Sequence, residues 1–203
     1  MDYRKIYTGE PDYGRAIEAY TQAIRRDPFD AASCLCRGRL YAAQDKYDQA
    51  FQDYDRAVGM KPDNAAAYAL RGDAYLAMKR YDKAVEDYNH AIEIEDQPAF
   101  REAKAQAYYE QGCDLYAKEQ FEDAIALYHK ILSPNFAAAH LGLGMVHRAQ
   151  KKYMEAIQDF NQVLEKDPAN AAAYRYRGGV YFALASDVEQ ARIAFGEESR
   201  GIQ

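Results

Sequence analysis

The sequence predicts an all-α solenoid, a stack of helical hairpins, on three observations. The first is apolar spacing. In 65–98 (AAAYALRGDAYLAMKRYDKAVEDYNHAIEIEDQP), Tyr68, Gly72 and Tyr75 stand at i, i+4 and i+7 on one helix. Ala84, Tyr88 and Ala91 repeat that spacing on a second helix, with a tight turn expected near Lys79-Arg80. The second is recurrence: 34 residues upstream, Cys34, Gly38, Tyr41, Ala50, Tyr54 and Ala57 fill the same slots, and Pro62 closes the repeat. The third is physical. One hairpin cannot bury both of its apolar faces, so the copies must stack.

Taken in order, residues 1–9 hold Tyr3, Ile6 and Tyr7, the stub of a first helix. Pro11-Asp12 opens a second helix bearing Ala16, Tyr20 and Ala23, which ends near Asp27-Pro28. Beyond the two copies above come Tyr108 and Gln111-Gly112 with Ala124 and Tyr128, then His140 and Leu143-Gly144 with Ala156, Phe160 and Pro168. The last copy is Tyr174, Arg177-Gly178 and Tyr181 with Ala191 and Phe195. The expected layout is a single repeat domain over 1–203: a half repeat at 1–30 and full hairpins at 31–64, 65–98, 99–136, 137–170 and 171–203. Asp27-Pro28, Lys61-Pro62 and Asp167-Pro168 punctuate helix ends, since proline cannot continue a helix and turns its predecessor away from the α region.

Glycines 38, 72, 112, 144 and 178 fall mid-helix, where each costs about 1 kcal/mol against alanine. Such costs at one phase imply close packing against a partner helix. The phase breaks once. Gly72 to Gly112 is 40 residues and Gly112 to Gly144 is 32. The extra residues follow Pro98, which suits a helix's first turn and leads Ala, Arg, Glu, Ala and Lys. The expectation is one helix from about Pro98 to Ala117, about 30 Å long, with its first two turns projecting and with Phe100 and Arg101 at a groove rim. An irregular loop is the alternative.

Aromatic-x2-Arg/Leu-Gly-x2-Tyr, then Ala-x3-Tyr/Phe, then Pro, is the tetratricopeptide pattern, and nearly the whole chain resembles that repeat family. The resemblance implies a right-handed α-solenoid of helix-turn-helix repeats whose first helices line a concave groove, and a non-enzymatic scaffold for protein–protein interaction. By the family's pattern, lining residues lie six, three and two before each glycine and one, four and five after it. The N-terminal half of that surface is shallow and Ala-rich, with Leu35, Cys36, Arg39, Leu70 and Asp73 among its larger members. The C-terminal half gathers Tyr109, Cys113, Tyr116, Leu141, Met145, Arg148, Arg175, Tyr176 and Phe182. Aromatic and arginine side chains dominate binding hot spots, so these residues are the expected partner-binding groove. The expected ligand is a protein or peptide with apolar anchors and an acidic group. One class within the family grips chaperone C-termini with a Lys/Asn/Asn/Lys/Arg clamp. Starting from the Gly38 repeat, those slots hold Leu35, Arg39, Leu70, Gln106 and Glu110, and neither later register fits, so that ligand is not expected.

Composition narrows the classes further. Lys+Arg 26 against Asp+Glu 32 leaves a net charge of −6, which argues against a partner held by nucleic-acid phosphates. No run of 18 apolar residues occurs, so no membrane insertion is expected. No signal peptide opens the chain as it stands, although the chain begins inside a repeat and such a segment could precede it. The three cysteines, Cys34, Cys36 and Cys113, have no metal-ligand spacing and read as small packing residues of a reducing, cytoplasmic compartment. His140 and His147 lie seven residues apart on one helix, too far to share an ion directly, and fill packing slots. No phosphate loop, nucleophile elbow or zinc spacing occurs, so neither enzyme activity nor a cofactor is expected.

Two interfacial expectations complete the reading. Residues before the glycines (Arg71, Gln111, Leu143, Arg177) match second-helix residues of the preceding repeat, polar for polar and apolar for apolar, and only Arg37, opposite Ala19, breaks the match. This places Asp53 with Arg71, Asp87 with Gln111, Leu127 with Leu143, and Asp159 with Arg177. The helices around Ala16, Ile17, Tyr20 and Ile24, and around Val188, Ala191, Ala194 and Phe195, lack capping partners. Homo-oligomerisation through the repeat ends is therefore the alternative role.

Overall fold

The computed structural model describes residues 13–131 and 137–198, with side chains described as far as Gln190. The expected stub at 1–9 and the helix start at Pro11-Asp12 lie outside the described residues. The described helices are α1 (Tyr13–Arg26), α2 (Ala31–Ala42), α3 (Tyr47–Met60), α4 (Ala65–Ala77), α5 (Tyr81–Ile94), α6 (Pro98–Ala117), α7 (Phe121–Lys130), α8 (Ala137–Ala149), α9 (Tyr153–Lys166) and α10 (Ala171–Glu198). They form two compact bodies, one ending at Ala107 and one beginning at Tyr108, the boundary falling inside α6. In the first, α1 packs on α2, α2 on α3, α3 on α4 and α4 on α5, and α2 also reaches α4. In the second, α7 packs on α8, α8 on α9 and α9 on α10, and α8 also reaches α10. Each body is thus a stack of helical hairpins with its first helices side by side.

Each hairpin turns at one slot, seven residues after the repeat glycine. Asp45, Lys79, Glu119 and Lys151 there hold φ of 58°, 56°, 60° and 58°, the left-handed conformation that ends a helix. The amide of the next residue then reaches back five positions, as Arg80 N–H does to the Tyr75 carbonyl at 2.8 Å and Lys152 N–H to that of His147 at 2.8 Å. The expected turn at Lys79-Arg80 is present. Between repeats, Asp30 caps α2 by accepting from Ser33 N–H, and Asn170 caps α10 by accepting from Ala173 N–H at 3.0 Å.

The repeat glycines receive the rings of the second helices. A Cβ on Gly38 would stand 2.7 Å from the Tyr54 ring, on Gly72 2.9 Å from Tyr88, on Gly112 2.5 Å from Tyr128, and on Gly144 2.6 Å from Phe160. No real Cβ sits so close to a buried ring, so alanine is already too large. The Tyr128 ring is closed in from its other side by Gly142, where a Cβ would come within 2.5 Å. At Gly178 the expectation fails, because nothing lies within 4 Å.

Gly178 stands open because the last repeat does not fold back. In place of a hairpin over 171–203, α10 runs unbroken from Ala171 to Glu198. The turn slot there is Ala185, flanked by Ala183 and Leu184, all strong helix formers. The aromatic that opens the other second helices (Tyr47, Tyr81, Phe121, Tyr153) becomes Asp187. The alanine and ring that match Ala156 and Phe160 come one residue late, at Ala191 and Phe195, so folding back in the usual register would set Gln190 in a buried alanine slot. Asp187 instead accepts from the Tyr153 hydroxyl at 2.8 Å and lies 3.6 Å from Lys151 Nζ, tying the straight helix to the preceding turn.

The lengthened helix is present as expected, α6 running from Pro98 to Ala117, but its first turns do not project. Phe100 packs with Tyr68 against Ala65, Ala69 and Ala91, and Ala103 and Ala107 pack around Ala84 and Tyr88. Arg101 is bonded to Asp96 rather than set at a groove rim. The small side chains of α4 leave a recess that a phenylalanine fills.

The polar pairs also depart from the expected register. Arg37 grips Asp53 with two hydrogen bonds, of 2.9 and 2.6 Å, and Arg71 grips Asp87 at 2.9 and 2.7 Å, so the buried pairs lie within repeats. Asp53–Arg71 and Asp159–Arg177 do not form. Each arginine does reach the preceding repeat, but two residues further along its second helix. Arg37 donates to Thr21 at 3.0 Å, Arg71 to Asp55 at 2.6 Å and Arg177 to Asn161 at 2.6 Å. A planar guanidinium between two helices serves both, and the carboxylate in its own hairpin takes the bidentate face. Where Leu143 replaces the arginine, His140 and His147 flank Asp159 with their Nδ1 atoms at 3.4 and 2.7 Å. Seven residues is nearly two turns, so both rings share a face and a carboxylate midway between them reaches both.

Arg71→Ala should lower stability by about 3 kcal/mol, because it strands the nearly buried Asp87 carboxylate. Asp55→Ala, on a residue 60% exposed, should cost less than about 1 kcal/mol. Urea midpoints of the two variants check the ordering. The same assay should show opposite signs for one substitution at two glycines. Gly144→Ala should destabilise by about 1–3 kcal/mol through overpacking on Phe160, whereas Gly178→Ala should stabilise by up to about 1 kcal/mol through helix propensity.

Candidate partner-binding groove

In the C-terminal body the first helices α6, α8 and α10 carry the expected lining residues. The centre of the arrangement is Tyr176. Its ring stacks on the buried Phe160 at 5.9 Å with an interplanar angle of 23°. The Arg148 guanidinium stands 5.8 Å from that ring's centre and the Arg175 guanidinium 5.1 Å. Glycine at 179 leaves room for Arg148, whose Nη1 would lie 3.4 Å from a Cβ there. Leu141 and Met145 pack with Tyr176 against Ile157, Phe160 and Val180, so both contribute to the core of this body.

A second cluster forms on α6 and α7. The Tyr109 and Tyr128 rings lie 5.9 Å apart, and the Tyr128 hydroxyl donates to Cys113 Sγ at 3.6 Å. Burial pushes both tyrosine hydroxyls well above their ordinary range, with Cys113 adding to the rise in each and Tyr176 adding to it at Tyr109. They are neutral donors, not bases. Tyr116 packs on Phe121 at 5.9 Å, and Phe182 projects from α10, 79% exposed. Arg148 and Arg175 differ from Arg37 and Arg71 in electrostatics. Among the described residues, neither has a carboxylate partner, so two positive charges converge on one ring uncompensated.

The N-terminal body holds what sequence reasoning passed over as shallow and Ala-rich. Asp73 on α4 accepts from the Tyr88 hydroxyl at 2.8 Å. It is open to water on one side yet surrounded by protein, and this desolvation holds its carboxyl above the usual range, opposed by the Tyr88 hydrogen bond and by Arg39. Burial pushes the Tyr54 hydroxyl up to about 12, with Asp73 contributing. The signal was present as an acid directly after Gly72 on a face otherwise made of alanine and leucine. Among the described residues no cluster of histidine, cysteine or acidic side chains could hold a metal ion, and no helix is long and apolar enough to cross a membrane. The cysteines at 34, 36 and 113 are unpaired.

Helical hairpins stacked through ring-on-glycine contacts, with their first helices side by side, define an α-solenoid repeat protein. The chain belongs to the tetratricopeptide repeat family, whose models match residues 11–65, 41–107 and 137–170. Two Drosophila melanogaster proteins, Hsc70-interacting protein 1 and Hsc70-interacting protein 2, are each 35% identical to it over 98 residues. The match covers 44% of this chain and 26% of each relative, so the chain spans about a quarter of those proteins' length. Among solved structures, MamA is similar at 25% identity and a TM-score of 0.58, over 79% of this chain and 91% of MamA. YrrB, described as a TPR protein with an unusual peptide-binding site, has the same fold at 24% identity and a TM-score of 0.52, over 83% of this chain and 85% of its own.

The raised Asp73 carboxyl carries a pH signature. Because the folded state favours the neutral acid, its contribution to stability is full below the unfolded carboxyl range and is lost as pH rises through the folded value. Asp73→Asn should therefore raise the melting temperature slightly at neutral pH, with the gain vanishing toward pH 4, when thermal melts of variant and wild type are compared across that range. The effect should be small because water reaches the carboxylate.

Proposed function

We propose that this chain is a non-enzymatic protein-interaction scaffold whose C-terminal body binds a peptide or protein segment carrying apolar anchors and an acidic group. The observation that carries this reading is the convergence of Arg148 and Arg175 on the Tyr176 ring without a carboxylate to neutralise them. An incoming carboxylate would take the guanidinium hydrogen bonds while its apolar neighbours pack on Tyr109, Tyr176 and Phe182. Kinship with proteins named for interacting with Hsc70 supports a partner-binding role. The chaperone-tail clamp is absent from the groove slots, so the ligand proposed is an internal acidic–aromatic segment, not a terminal carboxylate. Three unpaired thiols support a reducing, cytoplasmic setting.

The test uses fluorescence polarisation with labelled peptides that combine two aromatic or aliphatic residues with one glutamate, and with matched peptides in which lysine replaces the glutamate. The glutamate set should bind and the lysine set should not. Replacing Arg148 and Arg175 together by glutamine should weaken binding at least about tenfold, or about 1.4 kcal/mol, without changing the far-ultraviolet dichroism. Binding that survives this change but fails when Leu35 and Arg39 are replaced would move the site to the N-terminal body.

A further inference from the structure

The acid on α4 is used neither by the core nor by the site proposed for the C-terminal body. Asp73 directly follows Gly72, as Arg39 directly follows Gly38, and the helices that carry them, α4 and α2, pack against each other in the N-terminal body. Both residues are exposed and near enough for their charges to act on each other, yet they form no ion pair with one another. One carboxylate oxygen of Asp73 accepts from the Tyr88 hydroxyl at 2.8 Å, and the other has no partner among the described residues. A second phenol ends beside this pair. Tyr54 is 1% exposed, its ring lies on Gly38, and its hydroxyl stands within reach of the charges of both Asp73 and Arg39. Among the described residues that hydroxyl makes no hydrogen bond. An unsatisfied buried donor costs about 1–3 kcal/mol, so its acceptor must come from outside the body, from water or from a ligand.

We propose that the α2–α4 face binds an extended segment of a partner protein that carries a lysine or arginine and, two residues along, a glutamate or aspartate. The basic side chain meets Asp73, the acidic one meets Arg39, and the Tyr54 hydroxyl donates to a carbonyl of the segment between them. Geometry sets the spacing. Packed helix axes lie about 8–10 Å apart, and side chains two residues apart on an extended chain share a face at about 7 Å, a gap that the long arginine closes. Adjacent residues point to opposite faces and cannot meet both charges. Exposed alanines stand six before and five after each glycine, Ala32 and Ala43 for α2 and Ala66 and Ala77 for α4, within a narrow arc of the charged residue, so a backbone can lie close. Desolvation holds the Asp73 carboxyl above its usual range, opposed by the Tyr88 bond and Arg39. An asparagine would accept from Tyr88 without that cost, whereas an incoming cation removes it. This site does not depend on the acidic segment proposed for the C-terminal body, and the single-charge peptides that test that reading lack the pair required here.

Fluorescence polarisation of the whole 203-residue chain with a labelled, end-capped peptide that sets Lys-Ser-Glu among alanines and serines tests the proposal. This peptide should bind with a Kd below about 1 mM. Matched peptides with lysine and glutamate adjacent, or with serine in place of the lysine, should bind at least about tenfold more weakly. Asp73→Asn, which keeps an acceptor for Tyr88, and Arg39→Gln should each weaken the Lys-Ser-Glu peptide at least about tenfold, and Tyr54→Phe by about fivefold. Thermal melts of the same variants confirm that they fold. Replacing Arg148 and Arg175 together by glutamine should leave this binding unchanged, which separates it from the C-terminal body. A Lys-Ser-Glu peptide that fails to bind at about 1 mM would overturn the proposal. So would an affinity untouched by Asp73→Asn, equal binding of the adjacent-charge peptide, or loss of binding in the Arg148 and Arg175 variant.

Discussion

The contact on which each body depends is an aromatic ring laid on a glycine. Tyr54, Tyr88, Tyr128 and Phe160 are almost wholly buried, and each lies on the backbone of the first helix in its own hairpin, where even a methyl group would not fit. The glycine costs helix stability, and the ring's buried apolar surface more than offsets it, at about 25 cal/mol per Å². The contact also sets what the groove can contain. Ring tips emerge at the residue following the glycine, so the Tyr88 hydroxyl meets Asp73 and that of Tyr128 meets Cys113. Where the ring is Phe160, with no hydroxyl, the corresponding residue is Met145. The ring in the core is thus matched to the residue that follows the glycine on the first helix.

Beside the Tyr54 and Tyr88 rings runs a polar seam. Arg37 and Arg71 each bond sixteen residues forward, to a buried carboxylate of their own hairpin, and sixteen back, to the preceding repeat. A bidentate guanidinium satisfies the carboxylate and aligns neighbouring hairpins at once. Leu143 removes the arginine from this seam in the 137–170 repeat, and the two histidines supply the missing donors for Asp159. Neutral or charged, an imidazole can donate from Nδ1, so the carboxylate keeps its partners.

The last helix shows what happens when these rules lapse together. Ala185 supplies no turn and Asp187 no opening aromatic, while Gln190 stands where a small buried residue is needed. Without those three features the hairpin has no nucleus, and the straight helix wins by propensity and by its bond to Tyr153. The consequence is a face of tyrosine and valine with a glycine at its centre and nothing of its own repeat upon it.

Much of this was legible in the sequence. Glycine phase and ring spacing locate the hairpins through 170, and the residues after Pro98 foretell the long α6, because helical periodicity and backbone propensity are local properties. The slots that carry Tyr109, Arg148 and Tyr176 on the first helices were legible too, as one-dimensional spacings. Charge compensation was not, because whether Arg148 or Arg71 finds a carboxylate depends on which helices lie side by side and in what register. A polar-for-polar match between two sequences fits several registers, and only side-chain reach in three dimensions selects one. The same holds at α10, where a motif one residue out of phase still reads as a repeat. By itself the sequence determined the repeat, the hairpins through residue 170 and the residue types on each face. Tertiary structure decided which arginines remain unpaired and which glycine stays open, because both depend on neighbours far apart in the chain.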